Sequence, residues 1–354
     1  MKTRKTHILI IITAILFTFL YIFSGAKPLS KEYHFYPEWT IDLDNPDTKP
    51  TGSSSGAIYF KLGQNMGFFS EDGELTNFIT FPSKATISDY YYATYNTENK
   101  STVIYNNKSE VKGTIDLPGY PFFVNDRIYN FLPGGASFTR HDENGKLLWT
   151  IEATLPITAF ASNKNYTAAG YADGTINVIN NEDGSTEYEF NPGGSNYPVI
   201  LGLDISDNQK YIACICGHEQ QRFIIAENDG QKVKIIYHKY IDSDTNRRTL
   251  INICNDNNTV YSIFDKNLNI FDIKKQTSKN IPFDGKILNI EETDCFIYML
   301  GKSENTYTVY LVEKTHYMIG KFSFEADNAF LTTFNNNLYI GKDYTISKIK
   351  PSKE

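Results

Sequence analysis

Tryptophan, methionine and cysteine are nearly absent from this chain of 354 residues, which holds two, four and four of them. Four cysteines are too few for a disulfide scaffold. Cys214 and Cys216 flank Ile215, and the two-residue period of a strand puts both thiols on one face without a vicinal bridge. With Cys254 and Cys295 they read as small buried thiols, although in an exported chain pairing stays open. No cysteine lies near the N-terminal apolar run, which excludes lipid attachment there. The six histidines (His7, His34, His141, His218, His238 and His316) form no H-x-H, H-E-x-x-H or C-x-x-C grouping, so no zinc signature exists. There is no G-x-S-x-G, phosphate-cradling loop or kinase pattern either. Asp42, Asp44 and Asp47 resemble a calcium loop only loosely, because Pro46 interrupts them, and they read as a solvated acidic linker. No cofactor or metal is expected. Basic residues are also in deficit. The formal charge is −7, and setting aside Lys2, Arg4 and Lys5 leaves about −10 for the remainder, which argues against nucleic acid as a partner. No long amphipathic helix follows residue 30.

The chain is rich instead in Tyr and Phe, with 25 and 24, residues that favour strands. Ile157–Phe190 sets the pattern. It reads as four short strands, Ile157–Phe160, Tyr166–Tyr171, Thr175–Asn180 and Ser185–Phe190. Asp173-Gly174 and Asp183-Gly184 mark tight turns between them. A four-stranded meander of about 35 residues cannot bury both faces alone, so it must stack on copies of itself. Copies precede and follow it, over Gly56–Phe81, Ala85–Asp116, Pro121–Glu152, Val199–His238, Leu250–Pro282, Lys286–Phe322 and Ala329–Ile349. Asp72-Gly73, Asn144-Gly145 and Asp229-Gly230 supply further turns.

The last unit has three strands, and the lone strand Glu38–Leu43 can supply its fourth. Pairing the chain ends closes a ring and removes exposed edges. The fold expected is all-β, a propeller of four-stranded blades preceded by one N-terminal hydrophobic helix. Counting the shared blade gives eight. The first unit has a weak innermost strand, which leaves seven as an alternative. The domain boundaries expected are an anchor or signal peptide over 1–26, a linker over 27–37 and the propeller over 38–350.

Asp142–Ala153 (DENGKLLWTIEA) resembles the repeat of pyrroloquinoline-quinone-type propellers, and Glu38–Leu43 (EWTIDL) is similar to the same outer strand. Tyr171–Phe190 looks equally like a WD-repeat blade, without the Trp-Asp pair. Eight-bladed BamB-type envelope proteins, which assist outer-membrane protein assembly, share this architecture, though this chain lacks their lipid-bearing cysteine. The resemblance implies an envelope protein that works by contact with other proteins. It also keeps open an enzyme of the same fold, a quinoprotein-like dehydrogenase or a hydrolase, and an extracytoplasmic ligand sensor.

Met1–His7 is basic and Ile8–Phe23 is an uncharged run of sixteen residues. An uncleaved anchor would hold the propeller outside the inner membrane, since positive charge stays inside. Cleavage after Ala26 would release it as a soluble periplasmic protein. The length and aromatic content of the run favour the anchor. Binding is expected through loops on one propeller face. The longer loops are Phe190–Pro198 and Tyr240–Arg248, and the candidate contact residues are Tyr197, Tyr240, Arg247, Arg248 and Phe131, mostly types enriched at binding hot spots.

Overall fold

The computed structural model describes residues 2–25, 33–45, 57–242, 247–314 and 317–353. Among the described residues eight antiparallel sheets follow one another, so the count is eight and not the alternative of seven. The unit that sets the pattern forms strands Ile157–Ser162, Tyr166–Tyr171, Ile176–Asn180 and Thr186–Phe190. The turn glycines expected from the sequence, Gly73, Gly145, Gly174, Gly184 and Gly230, all have positive φ, between 76° and 86°.

Strand alternation explains why the sheets stack into a ring. In the fifth blade Tyr211–Cys216 and Arg222–Asn228 are buried along nearly their whole length. Ile212, Cys214, Cys216, Ile224 and Ala226 pack on the fourth blade. Ala213, Ile215, Phe223 and Ile225 point the other way and pack on the sixth. Each middle strand thus carries two apolar faces with a two-residue period, and each face needs a neighbour. The hydrophobic clusters fall one at each blade-to-blade interface, including the one between the eighth blade and the first. Cys214 and Cys216 share a face, as their spacing requires. All four cysteines are free, with Cys214, Cys216 and Cys254 buried and Cys295 exposed at a bend.

The ring closes through the chain ends. Tyr33–Asp42 pairs antiparallel with Thr345–Lys353, from Tyr33 opposite Lys353 to Asp42 opposite Thr345, with an irregularity between Pro37 and Trp39. It forms the outer edge of the eighth blade, whose other strands are Ala329–Phe334 and Asn337–Lys342. The strand begins five residues before the expected start, inside the segment assigned to the linker. Pro37 conceals it in the sequence, but an outermost strand tolerates proline because one side of it has no ladder to join. Tyr33 and Phe35 add to the closure, with ring centroids 5.5 Å from Phe296 and 4.7 Å from Phe322. Glu38 also meets Lys348 at 3.2 Å and Lys350 at 3.6 Å, in a solvent-accessible arrangement that adds little.

Among the described residues the first blade has three strands, Ile58–Leu62, Asn65–Phe69 and Leu75–Thr80. They occupy the second to fourth positions. The Asp72-Gly73 turn lies against Trp39 on the outermost strand of the eighth blade, just as Asp183-Gly184 lies against Trp149 on the outermost strand of the third. The weak innermost strand expected here corresponds to the position that no described residue fills. Of the acidic run read as a solvated linker, Asp42 and Asp44 are described and Asp47 lies outside the described residues.

The two tryptophans therefore play the same part. A Cβ on Gly73 would sit 2.8 Å from Trp39 Cδ2, and one on Gly184 would sit 2.6 Å from Trp149 Cγ. Trp149 also donates from Nε1 to the carbonyl of Asn181 at 3.0 Å. Each indole seats the glycine turn of the next blade.

At the N-terminus, residues Lys2–Gly25 form a helix. The side chains of residues 11–22 are all exposed, with Ile11, Ile15, Phe17, Phe19 and Ile22 between 57% and 73% accessible. Among the described residues no helix is long and apolar enough to cross a membrane.

Two glycine substitutions separate crowding from backbone strain. Gly230 has φ +86° and open space within 4 Å of where a Cβ would lie, whereas Gly184 has φ +76° and the Trp149 indole in the way. Gly230→Ala is expected to cost about 1 kcal/mol through the left-handed backbone alone. Gly184→Ala is expected to cost roughly 2–4 kcal/mol, since it adds overpacking against the indole. Urea unfolding followed by tryptophan fluorescence measures both, and equal losses would contradict the packing role of Trp149.

Candidate functional site

The chain passes from the outermost strand of one blade to the innermost strand of the next on a single face of the ring, and the turns between second and third strands lie on the same side. Topology places all five candidate residues on this crossover face. Phe131 ends the second strand of the third blade, Tyr197 lies in the crossover to the fifth, and Tyr240, Arg247 and Arg248 lie in or beside the crossover to the sixth.

They do not form one cluster. Phe131 is half-buried among aromatic rings, with centroids 5.1 Å from Phe160, 5.8 Å from Phe138 and 5.9 Å from Phe122. It packs the third blade on the fourth and offers little surface. Tyr197 is 57% exposed, its ring 6.4 Å from that of His218. Tyr240 is 55% exposed and stacks on the Arg222 guanidinium at 5.7 Å.

Arg222 organises this corner, and the sequence reading does not single it out. It is buried, and its Nη1 donates to the carbonyls of Gly193 at 2.8 Å and Pro192 at 3.3 Å. The Phe190–Pro198 loop thus rests on a buried guanidinium, which also supports Tyr240 from below. Gly194 comes so close to Arg222 that any Cβ there would collide with it. The sequence signal is faint: one cation directly before an apolar run, Phe223–Ala226.

Arg247 and Arg248 line a groove of about 390 Å³ between the sixth and seventh blades. Its floor is Leu250, Ile263, Phe283 and Ile287, and its rim carries Lys266 and Lys286 together with Asp265. Arg248 also borders a second groove of about 330 Å³, formed with Thr158, Val199, Leu201 and His218. The part of the Tyr240–Arg248 loop over 243–246 lies outside the described residues.

A second polar system lies on the inner wall, and it ties blade to blade. Lys61 Nζ donates to the Ala85 carbonyl at 2.6 Å, Ser88 Oγ to that of Asn125 at 2.8 Å, and Asn163 Nδ2 to that of Ser206 at 3.0 Å. Arg127 Nε donates to Ser162 Oγ at 2.9 Å. The Ile253 amide donates to Asp204 Oδ2 at 2.6 Å, and Asn289 Nδ2 donates to the Leu331 carbonyl at 2.8 Å. Burial pushes the Cys254 thiol well up, and the Glu292 carboxylate adds to this. Burial likewise raises Asp89 and Glu291, against the opposing effect of their hydrogen-bond donors. Tyr59 is pushed up to about 12 by burial, with the charges of Glu291 and Asp89 contributing. The sequence hides these groups because most are ordinary Ser, Asn or Asp residues near the end of an innermost strand. Only their recurrence from unit to unit could mark them. Among the described residues no group of three or more His, Cys, Asp or Glu side chains could hold a metal ion.

Asp204 provides a pH test of this wall. Burial pushes its carboxyl up to about 7, although the Ile253 and Ile205 amides pull the other way. In the unfolded chain it releases its proton near the usual value of about 3.9. Between those limits the folded state holds a proton that the unfolded state lacks, so stability from this group falls as pH rises from about 4 through about 7. The full shift converts to roughly 4 kcal/mol, and partial access to water reduces this to about 1–3 kcal/mol. Asp204→Asn keeps an acceptor for Ile253. It is expected to flatten the dependence of urea stability on pH over that window and to stabilise the protein at about pH 8. An unchanged slope would show that Asp204 ionises freely.

Comparison with known proteins agrees with this architecture. A family model described as "beta-propeller protein" matches residues 1–352. An uncharacterized protein of Treponema pallidum (strain Nichols) is 26% identical over 367 residues, covering 99% of this chain and 95% of that one. Among solved structures, BamB from Moraxella catarrhalis superposes with a TM-score of 0.60 at 14% identity, over 90% of this chain and 98% of that chain. The WD40 domain of Toxoplasma gondii coronin superposes with a TM-score of 0.56 at 11% identity, over 92% and 88%. At such identities these structures speak for the fold alone.

Proposed function

Since the chain belongs to the beta-propeller protein family, we propose that it is a non-enzymatic binding and scaffold module of the bacterial cell envelope. In this proposal the uncharged run Ile8–Phe23 holds it at the inner membrane, although among the described residues no helix is long and apolar enough to cross one, and the propeller stands on the extracytoplasmic side. The observation that carries the binding role is the crossover face. There Tyr197 and Tyr240 stand exposed over a loop fixed by Arg222, beside a groove rimmed by Arg247 and Arg248. A loop tied down by a buried guanidinium beside exposed aromatic and arginine side chains suits protein contact, because these residue types are enriched at binding hot spots.

The anchoring role draws on the helix. Its residues 11–22 are apolar apart from two threonines and a tyrosine and are exposed on every side. Such a surface is unfavourable in water and at home in lipid. The cations Lys2, Arg4 and Lys5 precede it, which orients the propeller outward.

Crosslinking of the full-length protein in native membranes, followed by mass spectrometry, tests the scaffold role. A defined envelope partner is expected, and replacement of Phe190–Pro198 or Tyr240–Arg248 should abolish its recovery. A blank at native expression would overturn the stable-complex reading. For the anchor, an alkaline carbonate wash should leave the protein in the membrane pellet and release a version that lacks residues 1–26. Release of the intact chain would instead favour a soluble periplasmic protein.

A further inference from the structure

Within the scaffold reading, on which this inference rests, we propose that the groove between the sixth and seventh blades binds an extended acidic peptide segment of the partner. Apolar side chains of the segment seat on the floor of Phe283 and Ile287, and its carboxylates face the basic rim.

Charge is the first argument. The chain carries a net −7, yet Arg247, Arg248, Lys266 and Lys286 converge on this one groove, with Asp265 as the single carboxylate among its lining residues. All four cations are exposed. Among the described residues none of the four forms an ion pair. A rim where cations outnumber carboxylates, on a protein of the opposite net sign, attracts and orients an anionic ligand.

Shape is the second argument. Phe283 and Ile287 are buried at the bottom, each 7% exposed, and Leu250 and Ile263 are half-buried beside them. A ligand must therefore bring apolar groups below the plane of its charges. A volume of about 390 Å³ admits a few side chains and no folded domain. Lys266 sits on a tight turn in which Asp265 and Lys266 have φ of 51° and 55°, so its side chain enters the rim from a two-residue turn. Arg248 continues into the neighbouring groove with Val199, Leu201 and His218. Because Arg248 lines both recesses, a chain in extended conformation can reach from one to the other.

These features also weigh against other anions. A nucleic acid presents repeated phosphates over a length that would meet the acidic remainder of the surface. A lipid surface is flat and would not reach a recessed floor. An acidic segment with interleaved apolar residues satisfies both the rim and the floor.

The probe is a short fluorescein-labelled peptide of alternating Glu and Leu, titrated by anisotropy against the detergent-solubilised full-length protein. Comparison probes are the Lys/Leu peptide, an all-Glu peptide and phosphatidylglycerol vesicles. The Glu/Leu peptide is expected to bind most tightly and to weaken with added salt. Arg247→Glu with Arg248→Glu should lower its affinity about tenfold or more, as should Lys266→Glu with Lys286→Glu. Either pair should strengthen binding of the Lys/Leu peptide. These exposed positions leave the core intact, and an unchanged thermal melt verifies this.

Equal Glu/Leu affinity in wild type and variants would overturn the proposal, as would preference for the all-Glu peptide or the vesicles. The two readings fail separately. A crosslinked partner that ignores the groove variants leaves the scaffold standing without this site. Groove-dependent peptide binding with no partner in membranes leaves the site standing without the scaffold.

Discussion

The structure depends on one constraint: a small twisted sheet with two apolar faces has no stable existence alone. In the fifth blade, Ile212 and Ile215 lie three positions apart on one strand and pack on different neighbours. Every blade inherits that requirement, so the chain reaches a stable state only when the last blade meets the first. Trp39 and Tyr339 pack on Phe69 at that seam, and Leu43 and Ile58 are buried there together. The strand that closes the ring comes from the start of the chain, so the two ends depend on each other.

Closure also explains the polar layer on the inner wall. Where innermost strands converge, their outward groups lack the room for a continuous apolar core. Ser88, Asn163, Asp204 and Asn289 fill it with single hydrogen bonds from one blade to the next. A carboxyl such as Asp204 is tolerated there because it accepts from backbone amides, which offset only part of the lost water, so that burial still raises it. With the ring set in this way, the crossover face becomes a stiff platform. Tyr197, Tyr240 and the four exposed cations stand on it, whereas the groove floor of Phe283 and Ile287 belongs to the core between the sixth and seventh blades.

Much of this is legible in the sequence. Five D-G or N-G pairs mark turns that all have positive φ, because only glycine takes that backbone cheaply. The similarity between EWTIDL and LLWTIEA identifies two equivalent outer strands, and their tryptophans do cap equivalent turns. The first residues of the closing strand are not legible, because Pro37 mimics a linker. Of the candidate residues, Tyr197 and Tyr240 stand exposed, whereas Phe131 is packing between blades. An aromatic at a strand end looks the same in sequence whether it points to a neighbour or to water.

The sequence by itself determined the repeat, the turn positions, the all-β class and the need for closure, since these follow from local backbone preference and a two-residue apolar period. The tertiary structure decided which residues meet. Arg222 reaches the Gly193 carbonyl across 29 positions, and Asp204 reaches the Ile253 amide across 49. Arg247 and Arg248 come beside Lys266 and Lys286 from separate turns and crossovers. The curvature of the ring makes these meetings. No local pattern encodes that curvature, because it is the summed result of twist and side-chain volume at every blade interface.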